Sequence, residues 1–147
     1  MAAIATGIPT RHLGQVWPDL WPIIKPVYDM QADKRDLLAG IYGRDLQLFA
    51  VFDSVPIAVI VVRLWLVSTS GPTEKHCRIW LVAGVRMTDW FPDFIAKLIA
   101  WAKVEGCDCL TASGRKGWAR LVRQYGGYRI ADEDGMPAWR LNLERAH

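Results

Sequence analysis

The sequence predicts a mixed α/β fold, with a central mixed sheet of about six strands flanked by helices. Residues 90–105 carry apolar side chains at helical spacing, whereas the segments before and after them are short apolar runs bounded by turn residues. Strands alternate with helices only in the middle of the chain, which favours parallel pairing around this helix. The length of 147 residues suits one domain, so we predict a single domain over residues 1–147, with looser order expected in residues 1–14.

The first third of the chain predicts two helices. Residues 15–30 have three prolines four residues apart, at positions 18, 22 and 26, and an interior proline removes a helical hydrogen bond. We therefore expect no continuous helix here, but a short one that begins at Pro18 or Pro22. Residues 33–42 predict a second helix with Asp33 as its N-cap.

From residue 45 onward the pattern predicts strands around the central helix. Two apolar runs separated by a turn cluster predict a hairpin, and Asp89 and Gly106 are the signals that start and stop the central helix. The predicted elements of this part are, in order, LQLFAVF, PIAVIVVRLWLV, RIWLVAGV (78–85), the helix 90–105, CDCLTAS, a helix over 116–125, YRIADED and PAWRLNL.

Composition and charge exclude several classes of protein. A net charge of +3 is too small to indicate nucleic-acid binding, and the sequence has neither a secretory signal nor an apolar run of about 20 residues that would span a membrane. We therefore expect a soluble intracellular protein without a membrane partner. The spacing of Cys107 and Cys109 is unusual for zinc, so we expect buried reduced thiols rather than a metal site, with Cys77 as the third cysteine.

Three segments of the sequence, together with the order of the elements, resemble the Gcn5-related N-acetyltransferase (GNAT) superfamily. The last helix is followed by a glycine and an aromatic residue, Gly127 and Tyr128. The local sequence is most similar to that of GNAT-like proteins encoded by phages and prophages. The similar segments are LLAGIYGRDLQLF, WLVAGVRMTDWFPDFIAKLIAWAKVEGCDCL and GRKGWARLVRQYGGYR. The resemblance implies a GNAT-like fold over nearly the whole chain.

The resemblance also implies a cofactor loop, which this sequence matches poorly. The family binds the diphosphate of acetyl-CoA with the pattern Q/R-x-x-G-x-G/A between the third core strand and the central helix. Here Gly84 is the one glycine left, Asp89 and Asp93 place carboxylates at the start of the helix, and Pro92 removes an N–H donor. We therefore predict no cofactor, with acetyl-CoA as the alternative. The weak candidates for binding it are Gly84, Val85, Arg86 and Thr88.

The catalytic residues that the resemblance implies are also missing. The family often uses a glutamate on the strand before the loop, and RIWLVAGV has no carboxylate. A tyrosine on the last helix commonly serves the departing thiolate, but Arg123 stands at its position, which leaves Tyr125 as a weak catalytic candidate. We therefore predict a non-catalytic structural or interaction protein, associated with the virion or its morphogenesis, in the host cytoplasm or virion. The alternative is a divergent acetyl-CoA-dependent N-acyltransferase.

Two surfaces are candidates for contact with a partner. The last helix has basic side chains at helical spacing, which places them on one face. This face is a candidate partner surface, but an ordinary solvent-exposed helix face would show the same pattern. Its members are Arg115, Lys116, Arg120 and Arg123. A protein partner or self-assembly, with other virion proteins among the candidates, is favoured over nucleic acid, because no stacking aromatics interleave with these charges. The second candidate comprises Trp17, Trp21 and Tyr28, for which core packing is the competing interpretation.

Overall fold

A computed structural model describes residues 3–31, 36–68, 70–114, 122–133 and 135–143. Three helices and seven strands have bounds in these ranges, and residues 122–124 are helical as well. In chain order the elements are β1 (Ile4–Gly7), α1 (Thr10–Tyr28), α2 (Leu37–Tyr42), β2 (Leu46–Asp53), β3 (Val55–Val67), β4 (Glu74–Gly84), α3 (Met87–Val104), β5 (Cys109–Ser113), β6 (Tyr128–Glu133) and β7 (Met136–Asn142).

The strands form one mixed sheet in the order β1-β2-β3-β4-β5-β7-β6. β4 and β5 pair in parallel, whereas β1 with β2, β5 with β7 and β6 with β7 are antiparallel. The predicted mixed α/β fold is confirmed, with seven strands instead of about six. The strand without a counterpart in the prediction is β1, which has four residues and lies within residues 1–14. So short a segment shows too little alternation to be recognised as a strand.

The chain divides into two compact units, each with its own buried residues. The first unit comprises Met1–Val62 and Leu81–Leu98, and the second comprises Arg63–Trp80 and Ile99–His147. An aromatic cluster lies in the core of the first unit, where the Phe94 ring is 5.6 Å from that of Phe49 and 5.9 Å from that of Trp90, centroid to centroid. The single-domain organisation stays a prediction.

α1 is one helix of 19 residues, so the prediction of a short helix from Pro18 or Pro22 is wrong. All three prolines lie inside it, at positions 18, 22 and 26. Their spacing of four places them on one exposed face, where water can satisfy the carbonyl groups that lose an N–H partner. The other face buries Leu13, Leu20 and Ile24 completely, and this burial stabilises the helix despite the missing hydrogen bonds.

α2 begins later than predicted. Its N-cap is Asp36, whose carboxylate accepts a hydrogen bond from the backbone N–H of Ala39 at 3.0 Å. The predicted cap, Asp33, lies outside the described residues. Leu37 and Ile41 are buried, whereas Leu38 is exposed.

In the second unit a close approach of two backbones explains the glycine before β6. A Cβ on Gly127 would overlap the Val122 side chain and would lie 3.2 Å from the Arg140 carbonyl oxygen. The backbone N–H of Gly127 also donates to the Val122 carbonyl oxygen at 3.0 Å. Gly127 therefore lets the chain turn from the last helix into β6, which begins at Tyr128.

The three cysteines are buried and form no disulfide. β5 begins at Cys109, so Cys107 precedes the strand instead of lying in it as predicted. None of the helices in the described ranges is long and apolar enough to cross a bilayer.

Candidate functional site

In the first unit, two residues connect β4 to α3. β4 ends at Gly84, and α3 begins at Met87. Gly84 has a φ of 122°, in a region that side chains disfavour, and a Cβ there would overlap the Ile57 carbonyl oxygen and lie 2.5 Å from Ala58 Cα. The close approach of β3 therefore accounts for this glycine.

Both backbone groups of Val85 are used within the protein. Its N–H donates to the Ile57 carbonyl oxygen at 3.1 Å, and its carbonyl oxygen accepts from Trp90 Nε1 at 2.8 Å. Trp90 is 1% exposed, so this hydrogen bond ties the turn to the core. The N–H of Val85 is consequently not available to a ligand.

Arg86 bridges two carboxylates across the turn. It has a φ of 62°, and its guanidinium donates to Asp53 Oδ2 at 2.6 Å and to Asp89 Oδ2 at 2.9 Å. The hydrogen bond from Arg86 lowers the pKa of Asp53, and the bonds to Asp53 and Asp89 raise the pKa of the guanidinium. Arg86 is exposed but already paired, so an anionic ligand would compete with these carboxylates for it.

The two carboxylates near the start of α3, those of Asp89 and Asp93, have different partners. Asp93 Oδ2 accepts from the N–H of Ala5 in β1 and from Lys97 Nζ, both at 2.9 Å. Burial acts to raise the pKa of Asp93, but these two hydrogen bonds outweigh it, and the pKa is lowered. Asp93 therefore anchors β1 to α3 and is neutralised by Lys97, whereas Asp89 stays beside Arg86.

The start of α3 fits an anion better than the sequence suggested. Pro92 is the sixth residue of the helix, so it removes none of the first four N–H donors. Within the described residues, nothing accepts the backbone N–H groups of Met87 and Thr88, and Thr88 is exposed. Arg86 lies directly before these donors, while Asp89, the third residue of α3, places a carboxylate among them. The donors suit a diphosphate, and Asp89 opposes it.

The second unit contains an acid–base pair that the sequence analysis missed. β4 begins at Glu74, four residues before the predicted start, so the strand does contain a carboxylate. Glu74 Oε1 lies 3.4 Å from His76 Nε2, and both side chains project from the same face of β4 because they are two residues apart. Arg140 lowers the pKa of Glu74 to about 2, with His76 as the second cause. Glu74 is therefore ionised at neutral pH.

His76 is held in a defined environment. Its side chain is 11% exposed, and its ring packs edge-on against Trp65 with a centroid distance of 5.9 Å. A carboxylate beside an imidazole fixes the orientation of the ring, and histidine is the side chain that most often accepts a proton from a reacting group. The sequence does contain a signal for this pair, because Glu-x-His has the two-residue spacing of one strand face. The segment EKH is polar, however, so it lacks the apolar pattern that predicts the start of a strand.

Further polar residues share this face of the second unit. Thr111 pairs with Arg78 on β4 and with Arg140 on β7, and it is 4% exposed. Its hydroxyl has no hydrogen-bond partner in the part of the chain that the structure describes. Cys109 pairs with His76 in the register, and burial raises the pKa of its thiol to about 11, which keeps it neutral.

The other predicted site residues lie at the end of the last helix or outside the described ranges. Tyr125 is half-buried, and its N–H donates to the Val122 carbonyl oxygen at 3.1 Å. Arg123 is exposed, with its guanidinium carbon 5.9 Å from the centroid of the Trp139 ring. The remaining members of the predicted basic face, Arg115, Lys116 and Arg120, lie outside the described residues, so the partner surface stays a prediction.

Comparison of the structure with known proteins identifies the fold. FeeM, an N-acyl amino acid synthase from uncultured soil microbes, is similar over 96% of this chain and 91% of its own, with a TM-score of 0.66 and 14% identity. A protein from Desulfovibrio desulfuricans assigned to the GNAT family of acetyltransferases is similar over 97% of this chain and 100% of its own, with a TM-score of 0.63 and 13% identity. No family model and no curated protein match the sequence. The chain has the GNAT fold.

A third similar structure contradicts the prediction of no cofactor. A mutant of the toxin AtaT, solved with acetyl-CoA and the C-terminus of the antitoxin AtaR, is similar over 97% of this chain and 94% of its own. Its TM-score is 0.61 and its identity 6%. A protein with this fold thus binds acetyl-CoA, so the prediction of no cofactor is wrong. The comparisons give no support to a phage or virion relationship.

Proposed function

We propose that the chain is an N-acyltransferase that uses an acyl-CoA donor. The observation that carries this proposal is the fold, which is shared over nearly the full chain with an N-acyl amino acid synthase. Fold alone does not determine activity, so the residues must also be able to supply the chemistry. Two groups in the described residues support it: the donors at the start of α3 and the Glu74–His76 pair on β4.

The donors at the start of α3 are suited to hold the diphosphate of the donor. The backbone N–H groups of Met87 and Thr88, the Thr88 hydroxyl and the Arg86 guanidinium would bind it. The bound thioester would supply an acyl group activated for attack by an amine. Because Asp53 and Asp89 already pair with Arg86, we expect weaker binding than a glycine-rich loop would give.

His76 is the residue best suited to activate the amine. An amine attacks only when it has lost its proton, and an imidazole can act as the general base that takes it. Glu74 stays ionised and compensates the positive charge that His76 would gain. Arg140 fixes Glu74 through hydrogen bonds to both carboxylate oxygens and is a positioning residue. Tyr125 stays the predicted candidate for the departing thiolate.

The structural or virion-associated role stays a competing prediction. It rests on the resemblance and on the poor match of the cofactor loop, and no contact in the described residues favours it. The two functions differ in a simple observable, because a structural protein releases no thiol from acetyl-CoA.

Measurement of thiol release from acetyl-CoA tests the proposal. We expect release that depends on an added amine, with free amino acids and peptide N-termini as the first panel. His76→Gln should lower kcat by about 10²–10⁴-fold while leaving acetyl-CoA affinity unchanged. His12→Gln is the matched control, because His12 is an exposed histidine of α1. Wild-type activity in His76→Gln would refute the role of His76.

A further inference from the structure

A groove in the first unit is lined by aromatic side chains and one carboxylate. Its volume is about 420 Å³, within the range of pockets that hold small molecules. The lining residues of α1 are aromatic, and those at the start of α2 are acidic or aliphatic: Trp17, Trp21, Tyr28, Asp36, Leu37 and Leu38.

The aromatic rings form a continuous wall along α1. The Trp17 and Trp21 rings stack with a centroid distance of 5.6 Å and an interplanar angle of 23°. Tyr28 lies 5.9 Å from Trp21 at 58°. All three side chains are half-buried, whereas the core positions of the same helix, Leu20 and Ile24, are fully buried. The three rings therefore line the groove and are not fully enclosed by the core.

The charge of the groove decides which ligand suits it. Among the described residues that line it, Asp36 is the one carboxylate; Oδ1 accepts from the N–H of Ala39, and no described residue donates to Oδ2. Lys25, also on α1, is paired with Asp29 at 2.7 Å, so these two charges balance each other. Aromatic faces attract cations through their quadrupoles, and a carboxylate beside them adds to this attraction.

We propose that this groove binds a small organic cation of the alkylammonium class. The aromatic wall would contact the alkyl groups on nitrogen, Asp36 would balance the charge, and Leu37 and Leu38 would contact the apolar remainder. This site is separate from the residues assigned to acyl transfer, and it does not depend on that activity.

Calorimetric titration with choline and with its neutral isostere, 3,3-dimethylbutan-1-ol, tests the proposal. We expect choline to bind about tenfold more tightly than the isostere. Asp36→Asn should weaken choline binding at least about threefold while keeping α2 capped, because asparagine is also a good N-cap. Asp19→Asn should leave binding unchanged, because Asp19 is an exposed carboxylate of α1 that lies outside the groove lining.

A second variant tests the aromatic wall. Trp21→Leu keeps an apolar side chain but removes the aromatic ring, so it should abolish the preference for choline over the isostere, with circular dichroism as the control for folding. Equal binding of choline and the isostere to the wild type would overturn the proposal, as would an unchanged preference in folded Trp21→Leu. Absence of choline binding at about 10 mM would overturn it as well.

Discussion

Arg140 on β7 donates hydrogen bonds to both carboxylate oxygens of Glu74 on β4, from Nη2 to Oε2 at 2.6 Å and from Nη1 to Oε1 at 3.1 Å. In the sheet β5 lies between these two strands, so the two side chains interact across an intervening strand. The remaining guanidinium nitrogen, Nε, donates to Asn142 Oδ1 at 2.7 Å. The arginine is thereby fixed, and it holds Glu74 beside His76.

The first prediction concerns acid stability. The pKa of Glu74 is lowered from 4.5 to about 2 in the folded chain. A depressed carboxyl pKa contributes stability that is present above about pH 4.5 and is lost as the pH falls through about 2. Glu74→Gln should therefore be less stable than the wild type at pH 7, and the difference should shrink as the pH falls across this window. Urea unfolding at several pH values measures it.

The control for this experiment is Asp29→Asn, which removes an exposed carboxylate paired with Lys25. An exposed pair of this kind contributes little, so the variant should follow the wild type at every pH. A constant difference between Glu74→Gln and the wild type from pH 7 to pH 2 would contradict the assigned ion pair.

The second prediction separates steric overlap from backbone strain at two glycines. Gly84 and Gly106 both have positive φ, 122° and 80°, but a Cβ overlaps β3 at Gly84 and meets nothing within 4 Å at Gly106. Gly106→Ala should cost about 1 kcal/mol of unfolding free energy, and Gly84→Ala about 3 kcal/mol or more. Equal losses in denaturant unfolding would show that β3 does not constrain Gly84.

The elements with strong apolar periodicity could be predicted from the sequence. The central helix was expected over 90–105 and spans Met87–Val104, because its apolar stripe and the stop at Gly106 are local signals. α1 could not be predicted, because proline rules describe the loss of hydrogen bonds and not the burial of Leu20 and Ile24 that compensates for it. That prediction uses only the local pattern of prolines and cannot include the effect of tertiary packing.

The candidate site depended on contacts between residues far apart in the sequence. Arg86 pairs with Asp53, 33 residues earlier, and Glu74 pairs with Arg140, 66 residues later. No spacing rule connects such residues. The sequence therefore predicts a weakened anion site, but it does not predict that Arg86 is paired with Asp53 or that Glu74 is held by Arg140. For the same reason the sequence predicts Asp93 as an obstacle to phosphate, because it does not reveal the contact with β1.

The third prediction distinguishes the two carboxylates of α3. Asp89→Asn should tighten acetyl-CoA binding about threefold or more, because it removes one negative charge beside Arg86 and keeps the side-chain size. Asp93→Asn should not tighten it, and should lower stability by about 1–2 kcal/mol, because it weakens the contacts with Ala5 and Lys97. Calorimetric titration and urea unfolding of both variants measure these effects. Tighter binding in Asp93→Asn alone would contradict the assignment.

The central claim is that the chain binds an acyl-CoA donor at the start of α3, and calorimetric titration of the wild-type protein with acetyl-CoA tests it most directly. We predict saturable binding of one molecule per chain with a micromolar dissociation constant, weakened about tenfold or more in Arg86→Ala because a charged donor to the diphosphate is lost. Absence of saturable binding up to about 1 mM acetyl-CoA would contradict the claim.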